Sequence, residues 1–221
     1  MADVDPLPLV KRFAAGFAHE LRTPLTVIRN AVYCLRHTIP PSDETTESLD
    51  MIDEEAHAIN RVLTRLVEIT HEFQLKRESC DLEAMSNTAI DQLDHERAID
   101  WRLDFEPKPF VMECDCDRFG HVLFNLFKNA SYAMRGSGKV AVRARREAKS
   151  DRIEIHDSGG GVSEEAGDVF APFTTTKPAG VGLGLTYCKK VVERHGGKID
   201  MADTGPGGTT FRIEMPRESP S

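Results

Sequence analysis

The chain has 221 residues, 40% of them apolar and 29% charged, with a formal charge of −8 and a pI near 5.5. That length exceeds the ~100–200 residues of an ordinary domain, so one large or two modest domains are expected. The acidic balance argues against a nucleic-acid surface, which needs clustered Lys and Arg; with no run of ~18 apolar residues and no basic-then-apolar start, a cytoplasmic chain without a membrane segment is expected.

Apolar residues at 13, 17, 21, 25, 28, 32 and 35 form one helical stripe and predict a helix from about Leu9 to Arg36. The segment Thr38-Ile39-Pro40-Pro41-Ser42-Asp43 ends it. A second stripe, Leu49, Ile52, Ala56, Ile59, Leu63 and Leu66, runs on to Phe73 and completes a helical hairpin spanning residues 1–76. Two helices cover only about half of each stripe, whereas four around one axis cover all of it, so the pattern predicts a homodimer through a four-helix bundle. The alternative is a monomer in which the hairpin packs on the C-terminal domain.

Within the first helix stands Phe17-Ala18-His19-Glu20-Leu21-Arg22-Thr23-Pro24-Leu25. His19 lies two residues from both Phe17 and Leu21, about 200° of helical rotation, and so faces away from the apolar stripe. A solvated surface histidine is the ordinary fate of such a residue. Glu20, however, can accept a hydrogen bond from one ring nitrogen, leaving the other's lone pair free to attack an electrophile. Pro24 has no N–H for the carbonyl of Glu20 and is expected to bend the helix beside the histidine.

From residue 77 onward the period changes. Strand-like runs at 101–105, 109–113, 139–144, 152–156, 198–201 and 209–215 alternate with helical stretches at about 83–97, 117–135 and 182–195. That alternation predicts an α/β sandwich over residues 77–221. The five cysteines (34, 80, 114, 116, 188) contain no CxxC pair, and Cys114 and Cys116 lack metal-ligand spacing, so reduced structural cysteines are expected. His156 reads as a strand-end residue and His195, before two glycines, as a cation at a helix C-terminus.

The second half has no P-loop. It carries instead Asn125 and Asn129, an i, i+4 pair on one helix face, whose amide oxygens suit magnesium. Asp157 follows a predicted strand and precedes Ser158-Gly159-Gly160-Gly161; its carboxylate can accept from an exocyclic amine such as that of adenine, although the stretch by itself reads better as a plain turn. Val169-Phe170-Ala171-Pro172-Phe173-Thr174-Thr175-Thr176-Lys177-Pro178 predicts a loop whose Lys177 can reach a phosphate. Gly180-Val181-Gly182-Leu183-Gly184-Leu185 then opens a helix, where unhindered N–H groups favour phosphate. A dinucleotide fingerprint is the rival, but its last glycine and acidic partner are missing.

His-Glu-Leu-Arg-Thr-Pro resembles the phosphoacceptor box of bacterial two-component sensor histidine kinases, and the hairpin resembles their dimerisation and histidine-phosphotransfer domain. The asparagine box, DxGxG, the Phe-rich loop, GxGxG and Gly208-Thr209-Thr210-Phe211 look like the Bergerat-type ATP-binding domain shared with Hsp90, gyrase and MutL. The resemblance covers residues from about 10 to 216. It implies ATP and Mg2+, with His19 as phosphoacceptor, Glu20 as its base and Thr23 positioning a water for phosphatase action. Asn129 is then the metal ligand, Asn125 supports the phosphates, Asp157 reads adenine, and Gly159 and Gly161 shape the base pocket. Phe170, Thr176, Lys177, Gly180, Val181, Gly182, Leu183 and Gly184 belong to the nucleotide loop and lid, and Thr209 stands near the adenine carboxylate.

His121 stands where a glutamine is common in the family and Tyr132 where some relatives carry a lysine, leaving Lys128 or Lys177 to supply the phosphate-side charge. The resemblance further implies a response regulator as partner; the acidic balance implies no nucleic acid, and the chain is expected to be the cytosolic part of a larger sensor. Two rivals stand beside the kinase: a scaffold that binds partners without ATP turnover, which the intact Asn129, Asp157 and glycines disfavour, and an ATP-driven clamp, which would lack the HELRTP helix.

Overall fold

The computed structural model describes residues 7–39, 43–70, 72–93, 98–135, 137–177 and 180–217; side chains of residues 7–19, 61, 65 and 164 lie outside that description. It divides into two compact units, Met1–Glu72 and Phe73–Ser221.

The first unit is a pair of helices, α1 (Leu7–Thr38) and α2 (Asp43–Thr70). Asp43 and Glu44 occupy the first turn of α2, where carboxylates meet the positive end of the helix dipole. α1 continues through Pro24, which leaves the carbonyl of Glu20 without its helical donor. The Pro40-Pro41-Ser42 break falls outside the described residues.

Packing splits each apolar stripe into rows seven residues apart. Leu25 and Val32 on α1, and Leu49, Ala56 and Leu63 on α2, are buried, with Leu25, Ala56, Leu63 and Val67 forming one cluster. Leu21, Ile28 and Leu35, and Ile52 and Ile59, remain more than 40% exposed. Arg29–Asp53 (3.5 Å) and Arg36–Asp50 (2.5 Å) ion pairs flank the seam.

The second unit begins with β1 (Glu78–Asp81) and α3 (Leu82–Asp91), followed by β2 (Ala98–Glu106), β3 (Val111–Cys114) and α4 (Cys116–Ala133). β4 (Ser137–Arg146), β5 (Ser150–Asp157), α5 (Gly184–Arg194), β6 (Lys198–Gly205) and β7 (Gly208–Pro216) complete it. One sheet has the order β2-β4-β5-β7-β6, and β1 pairs with β3 in a second. β2 and β4 run parallel; the other pairs of the large sheet are antiparallel.

Every second residue of β5 and β7 is buried, so one sheet face supplies Ile153, Ile155, Phe211, Ile213 and Met215 to the core. The helices answer with Leu82, Phe119, Leu123, Leu126, Phe127, Val191 and Val192, all at 0% exposure. The opposite face carries charge, as in the Arg212–Glu154 pair at 3.0 Å. This is the helix-on-sheet layering that the alternation predicts.

Asp81 and Asp115 cap α3 and α4 by accepting from Glu83 N and Arg118 N. Asp115 also accepts from Lys76 N at 3.1 Å.

Two expectations about single side chains are corrected. Cys80 and Cys116 form a disulfide, although reduced cysteines were expected: strand pairing of β1 with β3 brings together residues 36 positions apart, a proximity no spacing rule contains. Cys34, Cys114 and Cys188 are free. His195 is no exposed cation but is 1% exposed; its Nδ1–H donates to Val191 O (2.8 Å) and its Nε2 accepts from Asp115 N (2.9 Å). A ring using one nitrogen as donor and the other as acceptor is neutral, and burial lowers its pKa.

Candidate functional site

In the helical unit, His19 lies on α1, and its side chain is among those outside the description. Glu20 and Thr23 follow on exposed stretches of the same helix. Leu25 turns inward, so the helix is anchored just beyond the box. Thr26 Oγ1 donates to Arg22 O at 2.9 Å.

In the sheet unit, Asp157 ends β5 at 3% exposure. Burial pushes its carboxyl above the usual range, against the opposing pull of N–H donors from Gly159 and Thr209. The Gly159 bond is 2.8 Å. A buried carboxylate held by two backbone donors, with acceptor capacity left over, suits recognition of an amine donor.

The walls around Asp157 require close backbone approach. Gly161 has φ +77° and abuts the backbone of Gly205, leaving no room for a Cβ. Thr209, opposite Asp157 across the β5–β7 ladder, is buried and lies 3.3 Å from Thr204 Oγ1; Thr204 Oγ1 accepts from Val162 N at 2.8 Å. Thr204 escapes sequence reasoning because nothing but the fold sets it beside the glycine turn.

α4 brings up the asparagines. Asn125 is buried and donates to His121 O at 2.9 Å, and its amide oxygen faces Gly184 at the start of α5. Asn129 accepts from Lys177 Nζ at 2.6 Å, a contact spanning 48 residues. The same ammonium stands 4.6 Å from the centre of the Tyr132 ring. Lys128 instead projects over Phe124, at 5.8 Å.

The loop that carries Lys177 is fixed at several points. Phe170 is buried edge-on against Phe211, and its carbonyl accepts from Thr186 Oγ1 at 2.9 Å. Phe173 N donates to Gly182 O at 3.0 Å; Gly182, at φ +71°, has the Phe173 backbone where a Cβ would sit. Lys177 N donates to Thr175 Oγ1 and its carbonyl accepts from Gly180 N, both at 3.0 Å. Thr176 is exposed, Val181 half-buried and Leu183 buried. Thr186 was missed in the sequence because a threonine in an apolar helical row reads as core.

The two ends of the site therefore differ in chemistry. A buried acceptor and glycine backbone stand at Asp157, while amides and an ammonium gather at Asn129, as a molecule with an amine-bearing ring and an anionic tail would need. Among the described residues no cluster of three His, Cys, Asp or Glu could hold a metal. A hard cation would here depend on the Asn129 amide oxygen, which already attracts positive charge, together with oxygens of its own ligand.

Residues 114–219 match the family described as histidine kinase-, DNA gyrase B- and HSP90-like ATPase. Residues 9–72 match the His Kinase A (phospho-acceptor) domain. Sensor histidine kinase ZraS of Escherichia coli K12 is 31% identical over 216 residues, covering 96% of this chain and 46% of ZraS. The chain thus spans about half the length of the curated relatives it matches.

Among solved structures, full-length ShkA in complex with AMPPNP superposes with a TM-score of 0.80 at 22% identity, over 95% of this chain and 47% of ShkA. Histidine kinase ThkA in complex with response regulator TrrA gives a TM-score of 0.68 at 24% identity, over 96% of this chain and 63% of that one. At these identities both describe the fold.

Proposed function

This chain belongs to the histidine kinases, joining a phospho-acceptor unit to an ATPase unit, and on that premise we propose that it phosphorylates its own His19 from ATP and passes the phosphoryl group to an aspartate of a response regulator. The carrying observation is the pairing of a buried Asp157 with the Asn129–Lys177 cluster in one unit and the His19-Glu20 box on α1 in the other.

Asp157 accepts the adenine amine, with Gly159 and Gly161 keeping backbone close to the ring. Lys177 and Asn125 meet the phosphates. The Asn129 amide oxygen fits Mg2+, which when bound neutralises triphosphate charge. A ring nitrogen of His19 attacks the γ-phosphorus in line, the bond to the bridging oxygen breaks, and ADP leaves. Glu20 takes the hydrogen bond, and the proton, from the other ring nitrogen. The N–P bond so formed is then broken by a receiver carboxylate. Thr23, one turn beyond His19, orients a water that hydrolyses the regulator's acyl phosphate.

ThkA was solved with its response regulator TrrA, which supports the same class of partner here. The exposed rows Leu21, Ile28 and Leu35 and Ile52 and Ile59 support a homodimer through a four-helix bundle. No helix among the described residues is long and apolar enough to cross a membrane. We read the chain as the cytosolic part of a larger sensor, with residues 1–76 forming the phosphotransfer hairpin and residues 77–221 the catalytic domain. Incubation with γ-labelled ATP and magnesium, with His19→Ala alongside, tests the reading: label on the wild type and none on the variant is expected.

A further inference from the structure

We infer that Tyr132 is a positioning residue: the face of its ring seats the Lys177 ammonium, so that the charge at the anionic end of the site is delivered by the loop and held by α4. The inference rests on the ATP-binding reading above and concerns how that same site takes a triphosphate.

The geometry is specific to these three residues. Asn129 and Tyr132 are three apart on α4 and so occupy neighbouring positions on one helix face. Lys177 Nζ meets both, at 2.6 Å from Asn129 Oδ1 and 4.6 Å from the Tyr132 ring centroid. An amide oxygen and the negative face of an aromatic ring are two attractions of independent origin acting on one ammonium. Tyr132 is 41% exposed, and a large ring left that open adds little to the core.

The lysine is prepared for the seat. Its backbone N–H is tied to Thr175 Oγ1 and its carbonyl to Gly180 N, which fixes the direction in which the long side chain leaves the loop. Lys128, the other lysine considered for that charge, has its ammonium over Phe124, one turn back along α4. Removing the ring therefore takes away one of the attractions that order a flexible four-carbon chain, and the phosphates must then supply more of that ordering.

The effect belongs to the ring face, not to the phenol hydroxyl, and it acts only through Lys177. Titration of the full chain with a non-hydrolysable ATP analogue and, separately, with adenosine tests this across Tyr132→Phe, Tyr132→Leu, Lys177→Met and the Tyr132→Leu/Lys177→Met pair. Tyr132→Phe is expected to match wild type. Tyr132→Leu is expected to weaken the triphosphate analogue roughly 3- to 10-fold, the size of one partly exposed cation–π contact, with adenosine unchanged. In the Lys177→Met background the same change is expected to add nothing.

A loss of equal size in that background, an equal loss for adenosine, or a loss with Tyr132→Phe overturns the inference. A wild-type chain that binds adenosine but not the analogue also overturns it. One that binds neither overturns the ATP-binding reading beneath it, so the two failures are distinguishable.

Discussion

The imidazole of His195 accepts a hydrogen bond from the backbone N–H of Asp115 at 2.9 Å, joining the C-terminal end of α5 to the start of α4. The same ring donates to Val191 O, and protonation would turn its acceptor nitrogen into a donor facing a donor. Burial is the largest cause of its lowered pKa; the Val191 bond and Asp115 favour the charged form, while Arg77 and Arg118 oppose it. With the folded pKa below the unfolded value, the neutral ring contributes stability that is complete above about pH 6.5. That stability is lost as pH falls through the depressed folded pKa. Melting curves from pH 8 to pH 5 are expected to show this decline, and His195→Ala to be less stable at pH 8 by about 1–3 kcal/mol, for the orphaned Asp115 N–H, with a shallower fall.

Asp157 behaves in the opposite sense. Burial raises its carboxyl pKa despite donors from Gly159 and Thr209, so its stabilising contribution belongs to the protonated form, is present below the unfolded value of 3.8 and is lost as pH rises through the folded pKa. At neutral pH Asp157→Asn removes a buried charge while keeping an acceptor oxygen. The variant is expected to melt no lower than wild type yet to bind ATP at least ~10-fold more weakly, because its NH2 group opposes the adenine amine. Fluorescent-nucleotide titration beside calorimetry separates the two effects.

The Cys80–Cys116 bridge closes a separation of 36 residues, for which loop entropy gives a stabilisation of about 3–4 kcal/mol. Burial first, then the neighbouring charges of Asp115 and Glu113, push the Cys114 thiol up to about 12, so Cys114 is a poor thiolate for exchange with the bridge. Urea unfolding with and without dithiothreitol is expected to differ by that order. The Cys80→Ser/Cys116→Ser double variant is expected to match the reduced protein and to show no response to reductant.

The exposed rows of the hairpin predict self-association. Ile28→Glu and Ile52→Glu place charge on side chains 43% and 46% exposed in the single chain, where the helical pair itself loses little. Sedimentation equilibrium is expected to show at least a ~10-fold weaker dimer for each. Leu25→Ala, inside the Leu25–Ala56–Leu63 cluster, is expected instead to destabilise the unit by about 2–4 kcal/mol.

Periodicity made the large elements legible: the first helical stripe, the strands of the large sheet and the helix carrying Asn125 and Asn129 stand where hydrophobic spacing puts them, while the second helix ends at Thr70, short of the expected Phe73. β1 was missed, since Glu78-Ser79-Cys80-Asp81 has no apolar alternation and is a strand only because β3 pairs with it. Which members of each stripe are covered was equally hidden; Leu25 and Leu21 look alike in sequence, and packing alone buries one. At the candidate site, residue types and glycine spacing could be read. The meeting of Lys177 with Asn129 and Tyr132 could not, because it depends on how a loop folds back over a helix 48 residues earlier.

In the proposed reaction the γ-phosphoryl group of ATP becomes covalently attached to His19. Parallel incubations of the full chain with γ-labelled and α-labelled ATP in magnesium, followed by acid and alkali treatment of the denatured protein, test it most directly. Label is expected from the γ position only, stable in alkali, released by acid and absent from His19→Ala. Label of equal yield in His19→Ala, or label that survives acid, would contradict it.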